Sequence, residues 1–126
     1  RQMCIRDRTG LEPQSDRLLE IACIITDGDL RPVDAGVSYV IRVEKSVLDS
    51  MNEWCIETHG ATGLTRDCLS DAAHPHEVVR AAVLAYVLDR IPEPRIARLA
   101  GSSVHADKAF LVNEMPEVRR KAHVYC

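Results

Sequence analysis

The chain has 126 residues, 46% hydrophobic and only 4% aromatic, with a formal net charge of -3. That length gives one domain with an aliphatic core, and no apolar run approaches a membrane span. A protein that grips long duplexes usually presents a strong positive field, which this composition argues against; a short oligonucleotide, whose few charges bound cations and local amides can meet, is not excluded.

The five cysteines are an odd number without zinc-type spacing, which suits free thiols in a reducing, intracellular compartment. No signal- or transit-like start is visible. Residues 18–26 are apolar and rich in branched side chains, predicting a buried strand, with Cys23 in its core. Asp27-Gly28-Asp29 is a hairpin signal, and residues 33–43 predict the next strand, with Pro32 at its entry. Ser46 opens a helix carrying Val47, Leu48, Met51, Trp54 and Cys55 at helical spacing, and Gly60 ends it. Residues 62–69 predict a short helix or turn. Residues 76–91 give the clearest helix, with Val78, Val79, Ala82, Val83, Tyr86, Val87 and Ile91 on one stripe and prolines after it. Residues 96–100 predict a strand, residues 106–115 a helix, and residues 117–121 a charged end after Pro116. Strands in hairpin order followed by helix, strand and helix predict an α/β fold with a mixed sheet covered by helices.

Several residues invite chemistry. Asp107 follows the strand and turn that end in Gly101-Ser102-Ser103, so its carboxylate sits where open α/β sheets hold ligands. An acid there can bind a metal ion, and it can equally favour the positive end of a helix dipole. Trp54 at helical spacing fits core packing, and a tryptophan also stacks on bases. Leu11 reads as an apolar residue beside a turn, His59 as a dipole-favoured helix end, and Ser103 as a partner for turn amides.

Three separated segments carry a family resemblance. They are Thr9-Gly10-Leu11 with Asp16 to Asp27, Ser50 to Cys55 with His59 to Leu64, and Ala100 to Lys108. In this order and spacing the chain resembles the oligoribonuclease branch of the DEDD 3′-to-5′ exonucleases, from Thr9 to about Glu117. The third segment is most similar to eukaryotic members, which usually carry Asn where Ser102 stands. The resemblance implies a ribonuclease H-like fold. It also implies hydrolysis of very short RNA, down to dinucleotides, by two Mg2+ or Mn2+ ions roughly 3.5–4 Å apart. It makes Asp107 a catalytic acid and metal ligand. Leu11 and Trp54 are implied to wedge the bases, His59 to touch the substrate, and Ser103 to contact the 5′ phosphate. His123 matches a residue implied to reach the partner's site in a homodimer, although Val124-Tyr125 follows it here instead of Tyr-Arg. The family's setting is intracellular, cytoplasmic or mitochondrial, with no membrane partner.

Two departures qualify that reading. The family's opening Asp-x-Glu pair falls on Ile5 and Asp7, leaving Asp7, one methylene short, as the second metal-ligand candidate, and Arg8 puts a cation where an apolar residue is expected. The family's later His-x-x-x-x-Asp segment has no counterpart before Cys126. Residues 3–8 look like translated transposon-adapter DNA. The expected organisation is therefore a non-native segment at residues 1–8 and, at residues 9–126, the N-terminal part of a single exonuclease domain. The expected activity of the chain as written is little or none; the alternative is a non-catalytic fragment that binds nucleotides or a partner.

Overall fold

The computed structural model describes residues 4–93, 96–100 and 104–123, with side chains for residues 8–93, 96–100 and 104–120. Strand β2, Leu18–Cys23, is the apolar run singled out in the sequence, and Leu18, Leu19, Ile21 and Cys23 are fully buried. It is the centre of a three-stranded antiparallel sheet, between β1, Cys4–Arg8, and β3, Val37–Val40. Register places Arg8 opposite Leu18 and Glu20 opposite Val40, with irregular pairing around Asp7.

Both predicted strands of the hairpin are shorter than expected. Beyond Cys23 only a single antiparallel bridge, Thr26 to Pro32, continues the pairing. Asp27 closes the tip itself: its carboxylate accepts from the amides of Asp29 and Arg31, both at 2.9 Å. Leu30, not Gly28, takes the left-handed conformation there, at φ 65°. A turn at Asp34, whose carboxylate accepts from the Gly36 amide at 2.8 Å, delays the return strand to Val37.

The single helix predicted from Ser46 to Gly60 is two helices, α1 (Lys45–Asp49) and α2 (Glu53–Thr62). Asn52 starts the second by accepting from the Cys55 amide at 2.8 Å, an N-cap that favours a fresh start over continuation. Gly60 lies inside α2; Gly63, at φ 83°, ends it, and α3, Leu64–Leu69, follows directly. Leu48, Met51, Cys55, Leu64 and Cys68 pack on Leu19 as one small core.

The larger core takes in Leu18, Ile21 and Cys23 of β2. Helix α4, His76–Arg90, buries Val79, Val83, Tyr86 and Val87 there but leaves Val78 exposed. Helices α5, Val104–Glu114, and α6, Pro116–Lys121, complete it with Phe110, Leu111 and Val118. Arg80 of α4 pairs with Glu117 of α6. A short parallel pair joins β4, Ala97–Arg98, to β5, Ala122–His123. Antiparallel and parallel pairing flanked by six helices among the described residues agrees with the expected α/β, ribonuclease H-like class. Among those residues no helix is long and apolar enough to cross a membrane.

Candidate functional site

The site begins where β1 runs out. Thr9 is buried and works in both directions: its hydroxyl donates to Asp16 at 3.0 Å and accepts from the Arg17 amide at 2.8 Å. The other Asp16 oxygen accepts from the Glu12 amide at 2.9 Å. Gly10 fits beneath this carboxylate because it has no side chain; a Cβ there would stand 2.3 Å from Asp16 Oδ2. These bonds fix the turn while leaving Leu11 77% exposed on its outside.

Helix α2 supplies the facing elements. Its capped first turn holds Trp54 outward, 68% exposed, while the next residue, Cys55, takes the buried position. The core reading of Trp54 therefore gives way to the exposed one. A little over one turn further, His59 is buried, with Nε2 2.9 Å from the Arg8 carbonyl oxygen. A carbonyl only accepts, so Nε2 carries the proton and donates. Leu11, Trp54 and His59 thus share one cleft of about 640 Å³, together with Arg8, Gly10 and Asn52. Ser103 lies outside the described residues.

Asp107 stands in the first turn of α5 and is buried. Burial pushes its carboxyl above the ordinary range, against the opposing charges of Arg8 and His105. The charge of Arg8 is close: Nη1 lies 3.8 Å from Asp107 Oδ1, and the guanidinium sits 5.0 Å from the Phe110 ring centroid. That Nη1 is buried without a hydrogen-bond acceptor. The cation anticipated as a misfit in strand β1 is therefore turned inward, onto the acid that the sequence marked for metal.

A pair of divalent ions needs several hard oxygen donors around it. Here Asp107 faces a guanidinium, and no cluster of three or more His, Cys, Asp or Glu side chains exists among the described residues. Asp7 belongs to β1, with its backbone paired opposite Glu20, and its side chain lies outside the described set. The described donors do not fit a two-ion centre. His123 is in β5, paired with Arg98, and its side chain is likewise outside that set.

One supporting residue was not anticipated. Glu114, at the far end of α5, is buried and accepts the Leu18 amide at 3.0 Å through Oε1. Its Oε2 lies 3.1 Å from His76 Nε2, without hydrogen-bond alignment. Its spacing from Phe110 and Leu111 was the available signal, since all three fall on one helical face with Asp107.

Residues 8–126 match the RNase T family model, described as exonuclease. The chain is 44% identical over 117 residues to a probable oligoribonuclease of Schizosaccharomyces pombe, covering 93% of this chain and 46% of the relative. It is 42% identical over 119 residues to a mitochondrial oligoribonuclease of Saccharomyces cerevisiae, covering 89% and 44%. An oligoribonuclease of Neisseria gonorrhoeae is 37% identical, covering 93% and 65%. The chain spans about half the length of the two fungal relatives. Exonucleases of the matched family generally use divalent metals. The chain belongs to the RNase T exonuclease family.

Proposed function

We propose that this chain supplies the substrate cleft of a 3′-to-5′ exoribonuclease that acts on very short RNA. The observation that carries the proposal is the pairing of exposed Leu11 and exposed Trp54 on one cleft whose backbone is pinned by Thr9, Asp16 and Asn52. Exposed apolar side chains on fixed elements suit the faces of bases, and stacking on an aromatic contributes about 1–3 kcal/mol per base. Trp54 is the only tryptophan, so its fluorescence reports binding directly. A 5′-phosphorylated ribodinucleotide should quench it saturably. Competition against a labelled dinucleotide should show Trp54→Leu roughly 5- to 150-fold weaker, with an unchanged melting temperature because the side chain is exposed. Equal affinity in the variant would remove Trp54 from the site.

In the whole enzyme, hydrolysis at two Mg2+ or Mn2+ ions, closure of the 5′ end by Ser103, and a homodimer in which His123 reaches the partner belong to the same proposal. So do Asp107 and Asp7 as positions of metal-binding acids, and an intracellular setting, mitochondrial or cytoplasmic. For the chain as written we propose little or no turnover. Ile5 stands where the family's first acid is implied, and Arg8 faces Asp107. Metal-dependent hydrolysis of a ribodinucleotide above a metal-free control would refute this.

The Arg8–Asp107 contact also favours a second reading, a domain that binds nucleotides or a partner without catalysis. Ile5→Asp, Asp7→Glu and Arg8→Met, introduced together in a chain extended by a relative's C-terminal portion, separate the two: activity supports the damaged exonuclease. Residues 1–8 are proposed to be foreign to the natural protein, with residues 9–126 as the N-terminal part of a single exonuclease domain. An amplicon from source RNA that encodes Ile5 and Arg8 would end that idea.

A further inference from the structure

We propose that Asn113 of α5 is a positioning residue for Leu11: it ties down the tip of the turn that carries Leu11, and so keeps the separation between Leu11 and Trp54 that a short oligonucleotide needs. The inference rests on the cleft reading above and adds to it a residue from outside the cleft. Three observations lead to it. First, residues 9–17 close on themselves into one body. At the base the Thr9 amide donates to the Arg17 carbonyl at 2.9 Å; within the turn the amides of Ser15 and Asp16 donate to the Glu12 carbonyl at 3.1 and 2.7 Å, and the Asp16 carboxylate accepts from Thr9 and Glu12. Second, the tip stands off the helix beside it. A groove of about 430 Å³ runs between them, with Glu12, Pro13 and Gln14 on one side and Lys108, Val112 and Asn113 on the other. Third, Asn113 reaches across. Its Nδ2 donates to the Pro13 carbonyl at 2.7 Å, and among the described residues this is the one hydrogen bond that joins residues 10–16 to another element.

A turn that is closed internally can still rock as a whole about its base, and a groove beneath it leaves room to do so. A bond at the tip removes that motion, and it acts on Leu11 because Leu11 and Pro13 belong to the same closed body. The other end of the bond is firm. Asn113 lies on α5 between Leu111 and Glu114, both buried, and Glu114 accepts the Leu18 amide at 3.0 Å. A carbonyl only accepts, so the bond depends on a donor at position 113. Across the cleft, Trp54 follows the Asn52 cap directly and is held by it. Two apolar faces kept at a fixed separation bind bases without first having to be ordered, which is where pre-organisation gains affinity. Asn113 therefore acts on the ligand through Leu11 and not by contact.

The test is a double-mutant cycle on Leu11 and Asn113. The probe is a 5′-phosphorylated ribodinucleotide titrated against Trp54 fluorescence. Asn113→Leu nearly keeps the size of the side chain and removes the donor; Leu11→Ala removes the group to be positioned. Asn113→Leu alone should bind about fivefold more weakly, the worth of one hydrogen bond. Added to Leu11→Ala, it should cause no further loss, because the tip then has nothing left to place. A merely structural or electrostatic role would instead weaken binding equally with and without Leu11. That result, or unchanged affinity in Asn113→Leu, would overturn the inference and leave the cleft reading standing. Wild-type affinity in Leu11→Ala, or no quenching in the wild type, would sink the cleft reading and this inference with it.

Discussion

Asp34 shows how one side chain is committed to its ionised form. The Tyr86 hydroxyl donates to it at 2.7 Å, the Gly36 amide at 2.8 Å and Arg90 Nε at 2.6 Å. Arg90 also stacks on Tyr86, 3.9 Å from the ring centroid. The bond from Tyr86 leads in holding the Asp34 carboxyl down at about 2, and burial followed by Asp34 pushes Tyr86 up to about 12. A carboxyl that is more acidic folded than unfolded contributes stability above its unfolded pKa, and that contribution disappears as pH falls through the folded value. The support from Asp34 should therefore be complete above about pH 4 and gone near pH 2. Urea melts across that interval should be steeply pH-dependent in the wild type and flatter in Asp34→Asn. An unchanged slope would show that the loop of β3 is not anchored to α4 in this way.

At the scale of one element, α2 decides where the candidate cleft lies, and two glycines three residues apart define the end of that helix. Gly60 occupies the helix interior with nothing within 4 Å of a notional Cβ, whereas Gly63 holds φ +83° at the helix end. The same substitution should thus act in opposite directions. Gly60→Ala gains about 1 kcal/mol of stability through helix propensity. Gly63→Ala loses about 1 kcal/mol or more, because a side chain is strained in the left-handed region. Chemical denaturation of both variants reads the two signs; a gain in Gly63→Ala would displace the helix end. The sequence pointed to Gly60 as the terminator because glycine near the end of an apolar stripe is the commonest stop signal. Two such glycines so close together look alike without coordinates. The register of the stripe was similarly ambiguous. Trp54 and Cys55 differ by about 100° around the helix, and the packing of Cys55 beside Leu19 settles which of them faces solvent.

Across the whole molecule, α5 is the beam that joins the candidate site to the core. Asp107 at one end meets Arg8 of β1, Phe110 and Leu111 fill the interior, and Glu114 at the other end receives the first amide of β2. Glu114→Ala would leave the buried Leu18 amide without its acceptor, at a cost of about 1–3 kcal/mol. The variant should melt several degrees lower, and Glu114→Gln, which keeps an acceptor oxygen, should recover most of the loss. Equal losses in both would show that the charge, through His76, matters more than the amide contact.

The sequence by itself determined the strands and helices that carry dense apolar periodicity, above all Leu18–Cys23 and His76–Arg90, because such patterns are stable only with one face buried. The resemblance of three of its segments to a known family also marked Leu11, Trp54, His59 and Asp107. Only the tertiary structure decided how they relate. Leu11, Trp54 and His59 share a cleft because a turn and a helix distant in sequence pack side by side. Asp107 faces Arg8 because strand β1 and helix α5 meet across the core. Local sequence encodes which face of an element is apolar, but the partner of a buried charge is set by long-range packing.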